Sequence, residues 1–250
     1  MIIDKEEKQE YNFVHELEVE VAHLNEVGIL KPGAYQALFA QLAERHLSVF
    51  KADVNETTKY GMAWVLISMS IDVLHPINSC MKLYAHTWYS QRKGPYFRRE
   101  LVFCNEKDEV MFRGSTFSVL LDVASRTVFR KKTVPFYLDE PREVFCTEAD
   151  PHCRETGDFA EIYTRRVYNS YIDCLGHVNN CRYGDFAFDA LDDEEIIKMK
   201  HLKRMDFYFI SELRKNDSFT VYKAVGDNKI IIQGRNTDTD NTAFNIVFHY

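Results

Sequence analysis

The sequence predicts an α+β protein of two similar units in tandem, each a curved, mostly antiparallel sheet wrapped around one long helix. Two observations support this. The apolar patterns fall into two rounds of the same order, a strand, a helix and then several strands. A charged stretch with proline and glycine, residues 139–157, separates the rounds and is predicted to be a linker. We therefore expect a first domain over residues 1–138 and a second over residues 158–250.

The first round begins with a strand-like pattern over residues 13–21. Pro32-Gly33 then opens a helix in which apolar residues recur every three or four positions as far as Phe50. Alternating patterns separated by turn residues predict the strands that follow. Their expected ranges are 62–73, 82–89, 97–105 and 109–122.

The second round begins with a predicted strand over residues 160–168. A helix is expected to start at Asn179 or Asn180 and to run through Leu191. Four more strands are expected after it. Their ranges are 204–213, 218–225, 229–234 and 242–250.

Composition excludes several classes of function. The net charge of −7 argues against general nucleic-acid binding. No run of 18 apolar residues occurs, and residues 1–8 have neither secretory nor transit-peptide character, so we expect a cytoplasmic protein. The six cysteines are scattered through a large chain, which favours free thiols. Cys174, His177 and Cys181 have soft-ligand spacing but lack a good second ligand pair, so no metal is predicted.

The densest polar cluster lies at the strand-to-helix junction of the second round. Asp173, His177, Asn179 and Asn180 fall within eight residues. Either asparagine can cap the helix, whose first turn then presents N–H groups to a carbonyl that develops negative charge. Asp173 can order the imidazole or act on water, and Gly176 would let the backbone approach a ligand. Local spacing alone equally allows a structural role, in which Asp173 and His177 hold the loop by hydrogen bonds and the asparagines cap the helix.

The same segment, Asp-x-x-Gly-His-Val-Asn-Asn-x-x-Tyr from Asp173 to Tyr183, resembles the signature of hot-dog thioesterases. Four stretches of the first round resemble, in order and spacing, the first hot-dog of plant and bacterial acyl-ACP thioesterases. They are 64–66, 87–88, 97–100 and 115–126. The resemblance implies a tandem hot-dog whose first half lines an acyl pocket and whose second half hydrolyses fatty acyl-acyl carrier protein. It implies no metal or organic cofactor.

The resemblance adds Glu212 to the site, because the family carries an acidic residue on a later strand. Without it, Glu212 would be taken as a surface residue at a strand end. Two departures matter: Leu175 stands where the plant enzymes have asparagine, and Leu213 stands where they have cysteine. The expected mechanism therefore uses Asp173, Glu212 and His177, with either carboxylate attack or water activation, rather than a cysteine nucleophile.

Several questions stay open at this point. Acidic acyl carrier protein would need a basic surface, and Arg126, Arg130, Lys131 and Lys132 are the candidates, although a solvated strand end explains them equally well. The substrate could instead be acyl-CoA, or the protein could bind acyl chains without catalysis. Chain-length preference and pairing as a homodimer are not determined.

In the first round, His23-Leu24-Asn25 mimics His177-Val178-Asn179, but the helix begins too late, so we expect a degenerate site there.

Overall fold

A computed structural model describes residues 14–77 and 80–250. The start of the first predicted strand at residue 13, the N-terminal residues 1–8 and part of the turn after Pro76 lie outside this range. The described residues form eleven strands and four α-helices. The strands are β1 (Val14–Glu18), β2 (Met62–Val73), β3 (Lys82–Lys93), β4 (Tyr96–Cys104), β5 (Val110–Asp122), β6 (Thr127–Val128), β7 (Ala160–Arg166), β8 (Arg204–Phe209), β9 (Ser218–Val225), β10 (Lys229–Asn236) and β11 (Thr242–His249). The helices are α1 (Pro32–Val49), α2 (Val54–Thr57), α3 (Asn180–Phe188) and α4 (Asp193–Lys198).

Contacts divide the chain into two units. Unit 1 contains the chain up to Val19, Leu38–His75 and Met81–Pro151, and unit 2 contains Glu20–Ala37, Pro76–Cys80 and His152–Tyr250. Helix α1 therefore begins in unit 2 and continues into unit 1. The domain limits expected from the sequence, 1–138 and 158–250, stay a prediction.

The sheet of unit 1 has the strand order β1-β3-β4-β5-β2, with antiparallel neighbours throughout and β6 paired to β5. Phe39 of α1 stacks on Phe103 of β4, with ring centroids 5.1 Å apart, and on Phe112 of β5 at 6.1 Å. Gly114 of β5 allows this approach, because a Cβ there would lie 2.8 Å from the Phe39 ring. Helix and sheet thus share one aromatic core.

The sheet of unit 2 repeats that topology, with the order β7-β9-β10-β11-β8 and antiparallel neighbours. Tyr183 of α3 lies 4.8 Å from the Phe244 ring, and Phe186 lies 4.7 Å from Phe219, centroid to centroid. Each of the five strands in the order β1-β3-β4-β5-β2 has its counterpart at the same place in the second sheet, and β6 is additional. The predicted tandem of antiparallel sheets, each packed against a helix, is confirmed.

The second half differs from expectation in two places. The strand predicted over 204–213 ends at Phe209, because the next two N–H groups, of Ile210 and Ser211, both turn to the Ala243 carbonyl. Glu212 therefore lies in irregular chain beyond the strand, and its predicted place on the strand is wrong. Helix α3 ends at Phe188, and the short helix α4 was not predicted, although Asp192 and Glu195 form a capping box at its start.

The predicted linker, 139–157, contains no helix or strand within the described residues, but its first part is tied to unit 1. The indole N–H of Trp88 donates to the Val144 carbonyl at 2.9 Å, and the Cys146 N–H donates to Glu100 Oε2 at 3.1 Å. Glu100 is fully buried and also pairs with Arg98 at 2.7 Å. A buried carboxylate needs such partners to offset its lost hydration. In the described part of the chain, no helix is long and apolar enough to cross a membrane.

Candidate active site

The loop from residue 169 to residue 179 is shaped by a close set of backbone hydrogen bonds. The Asp173 N–H donates to the His177 carbonyl at 3.0 Å, and the Gly176 N–H donates to the Asp173 carbonyl at 3.1 Å. Gly176 has φ +84°, a left-handed conformation that glycine adopts without steric cost. The loop therefore turns back on itself and brings the first and fifth residues of the segment 173–177 together.

The two polar side chains of this turn face each other. Asp173 Oδ1 accepts the N–H of Leu175 at 2.9 Å, which commits one carboxylate oxygen to the loop. The other oxygen, Oδ2, lies 3.7 Å from His177 Nδ1, and both side chains are only 20–25% exposed. This separation is longer than a hydrogen bond, and catalytic contacts of this kind often shorten when substrate binds.

Helix α3 begins directly after the loop, with Asn179 as its N-cap. Asn179 Oδ1 accepts the Cys181 N–H at 2.9 Å, and its backbone carbonyl accepts the Arg182 N–H at 2.9 Å. In the first turn, as far as the described residues go, the Asn180 N–H is the donor that makes no hydrogen bond. As one of the first N–H groups of the helix, it lies at the positive end of the helix dipole, where an anionic oxygen is stabilised.

The segment that contains Glu212 lies alongside this loop. The Val178 N–H donates to the Leu213 carbonyl at 2.8 Å, and His177 forms an antiparallel bridge with Arg214. Glu212 Oε2 accepts a hydrogen bond from the Arg214 guanidinium at 2.8 Å, and the Glu212 side chain is 31% exposed. Backbone pairing, rather than a continuous strand, thus brings the segment that contains Glu212 beside the loop.

Tyr183, in the second turn of α3, is buried near the carboxylates of Glu212 and Asp173. Burial raises the pKa of its phenol strongly, and the nearby carboxylates of Glu212 and Asp173 raise it further, while a hydrogen bond from the Leu213 backbone opposes them. The hydroxyl is thus held as a neutral donor within the field of both carboxylates. The sequence motif included Tyr183, but no role had been predicted for it.

The geometry supports acyl transfer chemistry, and comparisons with known proteins agree. Residues 155–247 match the family model described as acyl-ACP thioesterase C-terminal domain. Residues 155–247 therefore belong to the acyl-ACP thioesterase family. This thioesterase domain contains the whole predicted constellation, from Asp173 to Glu212. A search of curated protein sequences finds no match to the chain.

Two solved structures share the fold over nearly the whole chain. An acyl-ACP thioesterase from Bacteroides thetaiotaomicron VPI-5482 has a TM-score of 0.81 at 16% identity, covering 95% of this chain and 96% of that one. A 12:0-ACP thioesterase from Umbellularia californica has a TM-score of 0.74 at 14% identity, covering 95% of this chain and 96% of that one. At such identities the likeness shows the fold, which agrees with the predicted tandem hot-dog.

A second loop of the same shape precedes α1, in the part of the first repeat that belongs to unit 2. The same backbone hydrogen bonds recur there, from Asn25 N–H to the Ile29 carbonyl at 2.9 Å and from Gly28 N–H to the Asn25 carbonyl at 3.0 Å. The equivalent pairs are Asn25 with Asp173, Gly28 with Gly176, Ile29 with His177 and Lys31 with Asn179. The repeat therefore puts Ile29, not His23, at the His177 position. The first loop keeps the backbone of the thioesterase loop and lacks its acid and its imidazole.

The cysteines near the site differ in exposure. Cys174 is exposed in the loop, whereas burial, with Asp185 nearby, raises the pKa of Cys181 to about 12. A thiol with so high a pKa is a poor nucleophile at neutral pH, and Leu213 is fully buried where the plant pattern has cysteine. Over residues 14–77 and 80–250, no group of three or more His, Cys, Asp or Glu side chains is arranged to hold a metal.

The predicted docking residues belong to unit 1, whereas residues 155–247, which match the thioesterase model, belong to unit 2. Arg126, which has φ +53°, lies in the turn before β6, and Arg130, Lys131 and Lys132 follow that strand; all four are exposed. The Arg92 guanidinium donates to the backbone carbonyls of Lys131 and Lys132 and so anchors this loop.

Proposed function

We propose that the chain hydrolyses fatty acyl-ACP to a free fatty acid and the thiol of the carrier protein, and that the chemistry takes place in unit 2. The observation that carries the proposal is the unpaired Asn180 N–H at the start of α3, beside the facing pair of Asp173 and His177. A preorganised donor beside a base and an imidazole is what thioester hydrolysis requires.

In the proposed reaction, the Asn180 N–H binds the thioester oxygen as it becomes an oxyanion, and the helix dipole adds to this stabilisation. Asp173 removes a proton from a water molecule that attacks the carbonyl carbon, and Glu212 orients that water. The carbon–sulfur bond breaks as His177 protonates the leaving thiolate. His177 acts as the imidazolium, and transfer of the proton taken up by Asp173 returns it to that form.

The direct test is thiol release from a panel of acyl-ACPs of different chain length. We expect Asp173→Ala and Glu212→Ala each to lower kcat by about 10²-fold or more while thermal melting stays near that of the wild type. Asp227→Ala, at an exposed turn of unit 2, and Glu194→Ala, at an exposed position of α4, are matched controls. Turnover like the wild type in both site variants would contradict the assignment.

A single turnover in ¹⁸O-labelled water separates water activation from attack by the carboxylate. If Asp173 activates water, all of the label enters the fatty acid in the first turnover. If Asp173 attacks the thioester itself, an acyl–aspartyl anhydride forms, and its hydrolysis at the aspartyl carbon transfers the label to the enzyme. Mass spectrometry of the fatty acid and of the peptide with Asp173 distinguishes the two courses.

The same assays separate the carriers and the non-catalytic alternative. Faster turnover of acyl-CoA than of acyl-ACP would point to the other carrier, and tight acyl-ACP binding without thiol release would point to an acyl-binding protein.

For docking of the acidic carrier, we propose the exposed residues Arg126, Arg130, Lys131 and Lys132. Replacing all four with alanine should raise KM for acyl-ACP and leave kcat/KM for acyl-CoA unchanged. A place in fatty acid biosynthesis, in the cytoplasm, remains a prediction from the sequence.

A further inference from the structure

Gln36, in the second turn of α1, reaches the candidate site from the first repeat. Its side chain is 1% exposed, and its Nε2 donates a hydrogen bond to the carbonyl of Asn180 at 3.0 Å. Asn180 is the first residue of α3 and carries the unpaired N–H described above. Both residues belong to unit 2, although 144 positions separate them in the sequence.

Two glycines make this contact possible. A Cβ on Gly184 of α3 would lie 2.2 Å from Gln36 Oε1 and 2.7 Å from the Gly33 backbone nitrogen. A Cβ on Gly33 of α1 would lie 2.9 Å from the Cys181 carbonyl oxygen. The first turns of the two helices therefore approach more closely than any side chain at these positions would allow.

The peptide group between Asn180 and Cys181 is held at both ends. Asn179 Oδ1 accepts its N–H at 2.9 Å, and Gln36 Nε2 donates to its carbonyl oxygen at 3.0 Å. Hydrogen bonds in such a chain polarise one another and restrict the peptide to one orientation. The Asn180 N–H belongs to the preceding peptide group, whose direction is restricted by the fixed peptide that follows it.

The amide of Gln36 has an incomplete set of partners for a purely structural group. Within the described part of the chain, its buried Oε1 makes no hydrogen bond. Leaving a buried acceptor unpaired costs free energy, which an apolar side chain of the same size would avoid. What glutamine provides at this position and leucine would not is the Nε2 donor, which hydrogen-bonds to the Asn180 carbonyl.

The internal repeat shows the same asymmetry as the site. The position of α3 equivalent to Gln36 of α1 is Gly184, eight residues after Gly176 as Gln36 is eight after Gly28. Helix α3 therefore offers no amide to the first turn of α1, whose loop carries Asn25 and Ile29 in place of the acid and the imidazole. A buried glutamine amide therefore contacts only the helix that follows the loop with both Asp173 and His177.

We infer that Gln36 is a positioning residue that fixes the first turn of α3, so that the Asn180 N–H meets the thioester oxygen in the transition state. The inference rests on the proposed function. Gln36 touches neither substrate nor reacting atoms and acts through the Asn180–Cys181 peptide. Loss of its donor should misplace the Asn180 N–H, and small misplacements of a reacting geometry can lower rates by about 10²-fold.

The test uses two substitutions in the full chain with acyl-ACP as substrate. Gln36→Leu removes the donor at similar volume, and we expect kcat to fall by about 10-fold to 10²-fold with KM within about two-fold of wild type. Gln36→Glu is nearly isosteric. Its ionised carboxylate repels the Asn180 carbonyl, whereas its protonated form can donate an O–H to it. The ratio of its kcat to that of the wild type should therefore rise as the pH falls.

Gln41→Leu and Gln41→Glu are matched controls, because Gln41 is exposed on the same helix. Both should keep wild-type kcat at every pH. Should Gln36→Leu fail to fold by thermal melting, the pH dependence of Gln36→Glu still decides. A Gln36→Glu ratio that does not change with pH, or a Gln36→Leu kcat equal to that of Gln41→Leu, would overturn the inference alone. Absence of thiol release by the wild type would overturn the proposed function with it.

Discussion

At the scale of single residues, Tyr183 links the parts of the candidate site that come from different segments. Its hydroxyl accepts the Leu213 N–H and lies in the field of Glu212 and Asp173, and the side chain is 3% exposed. A buried hydroxyl in this position can hold the Glu212 segment and the α3 segment at a constant separation.

We expect Tyr183→Phe to lower kcat and to destabilise the fold by about 1–3 kcal/mol, because the Leu213 N–H loses a buried partner. Steady-state thiol release and urea unfolding measure the two effects. Tyr35 occupies the equivalent place in α1 and is also 3% exposed. Tyr35→Phe should leave kcat unchanged, and an equal loss of kcat in both variants would speak against a role for Tyr183 in the site.

His46 is the residue from which we predict a pH dependence of stability. Burial and the neighbouring guanidinium groups of Arg99 and Arg142 lower the pKa of His46 to about 3, and Arg99 Nη1 lies 2.9 Å from its Nδ1. Because the pKa of His46 is lower in the folded chain, the unfolded chain binds a proton at pH values where the folded chain does not. Stability is therefore complete above the unfolded pKa and falls as the pH drops from about 6.5 toward 3.

Between about pH 7 and pH 5, this residue alone should lower the free energy of unfolding by about 2 kcal/mol. Glutamine does not titrate. Between pH 7 and pH 5, the free energy of unfolding of His46→Gln should therefore fall by about 2 kcal/mol less than that of the wild type. Urea unfolding of both proteins at the two pH values measures the difference. Parallel pH dependences would show that folding does not lower the pKa of His46.

At the scale of elements, the loops before α1 and α3 form a matched pair. Gly28 has φ +76° and Gly176 has φ +84°, and a Cβ at either position would meet nothing within 4 Å. An alanine at either site therefore introduces only the strain of a left-handed backbone, which is about 1 kcal/mol. The loops differ in what they carry, since the second holds Asp173 and His177 where the first holds Asn25 and Ile29.

We predict that Gly28→Ala and Gly176→Ala lower stability by similar amounts, about 1 kcal/mol each. Only Gly176→Ala should lower kcat, because it alters the backbone that sets the 3.7 Å approach of His177 to Asp173. Urea unfolding and thiol release on both variants test this. If the two alanine variants lose kcat equally, the first loop has a part in the reaction.

At the scale of the whole molecule, the linker contains one division between the two units, between Pro151 and His152, but unit 2 is not confined to the residues that follow it. Unit 2 includes Glu20–Ala37, which lies far upstream of the linker and contains Gln36 and Gly33. The close approach of Gly33 to Gly184 and the Gln36 hydrogen bond to Asn180 are internal to that unit. A cut at the linker would therefore remove packing from unit 2 itself.

We predict that a fragment of residues 152–250 expressed alone shows no cooperative thermal unfolding and releases no thiol from acyl-ACP. Co-expression with residues 1–151 should restore both, because the missing contacts of unit 2 return with Glu20–Ala37. Circular dichroism melting and the thiol assay measure the two properties. A fragment that melts cooperatively by itself would show that the upstream segment is dispensable for the folding of unit 2.

The sequence by itself determined the tandem architecture and the local backbone geometry of the candidate site. Strand and helix periodicity depends on neighbours two to four residues apart, so strands such as Met62–Val73 and Ser218–Val225 could be predicted to the residue. Asp173, Gly176, His177 and Asn179 also lie within one turn and a helix cap, where sequence spacing dictates geometry.

Only the tertiary structure decided the contacts between distant segments. The resemblance predicts Glu212 on a strand, yet its segment lies beside the loop through the pairing of Val178 with Leu213. Gln36 gave no signal in the sequence, because its importance depends on a hydrogen bond across 144 positions and on two glycines that let the helices approach. Such contacts arise from packing between elements, which local periodicity does not encode.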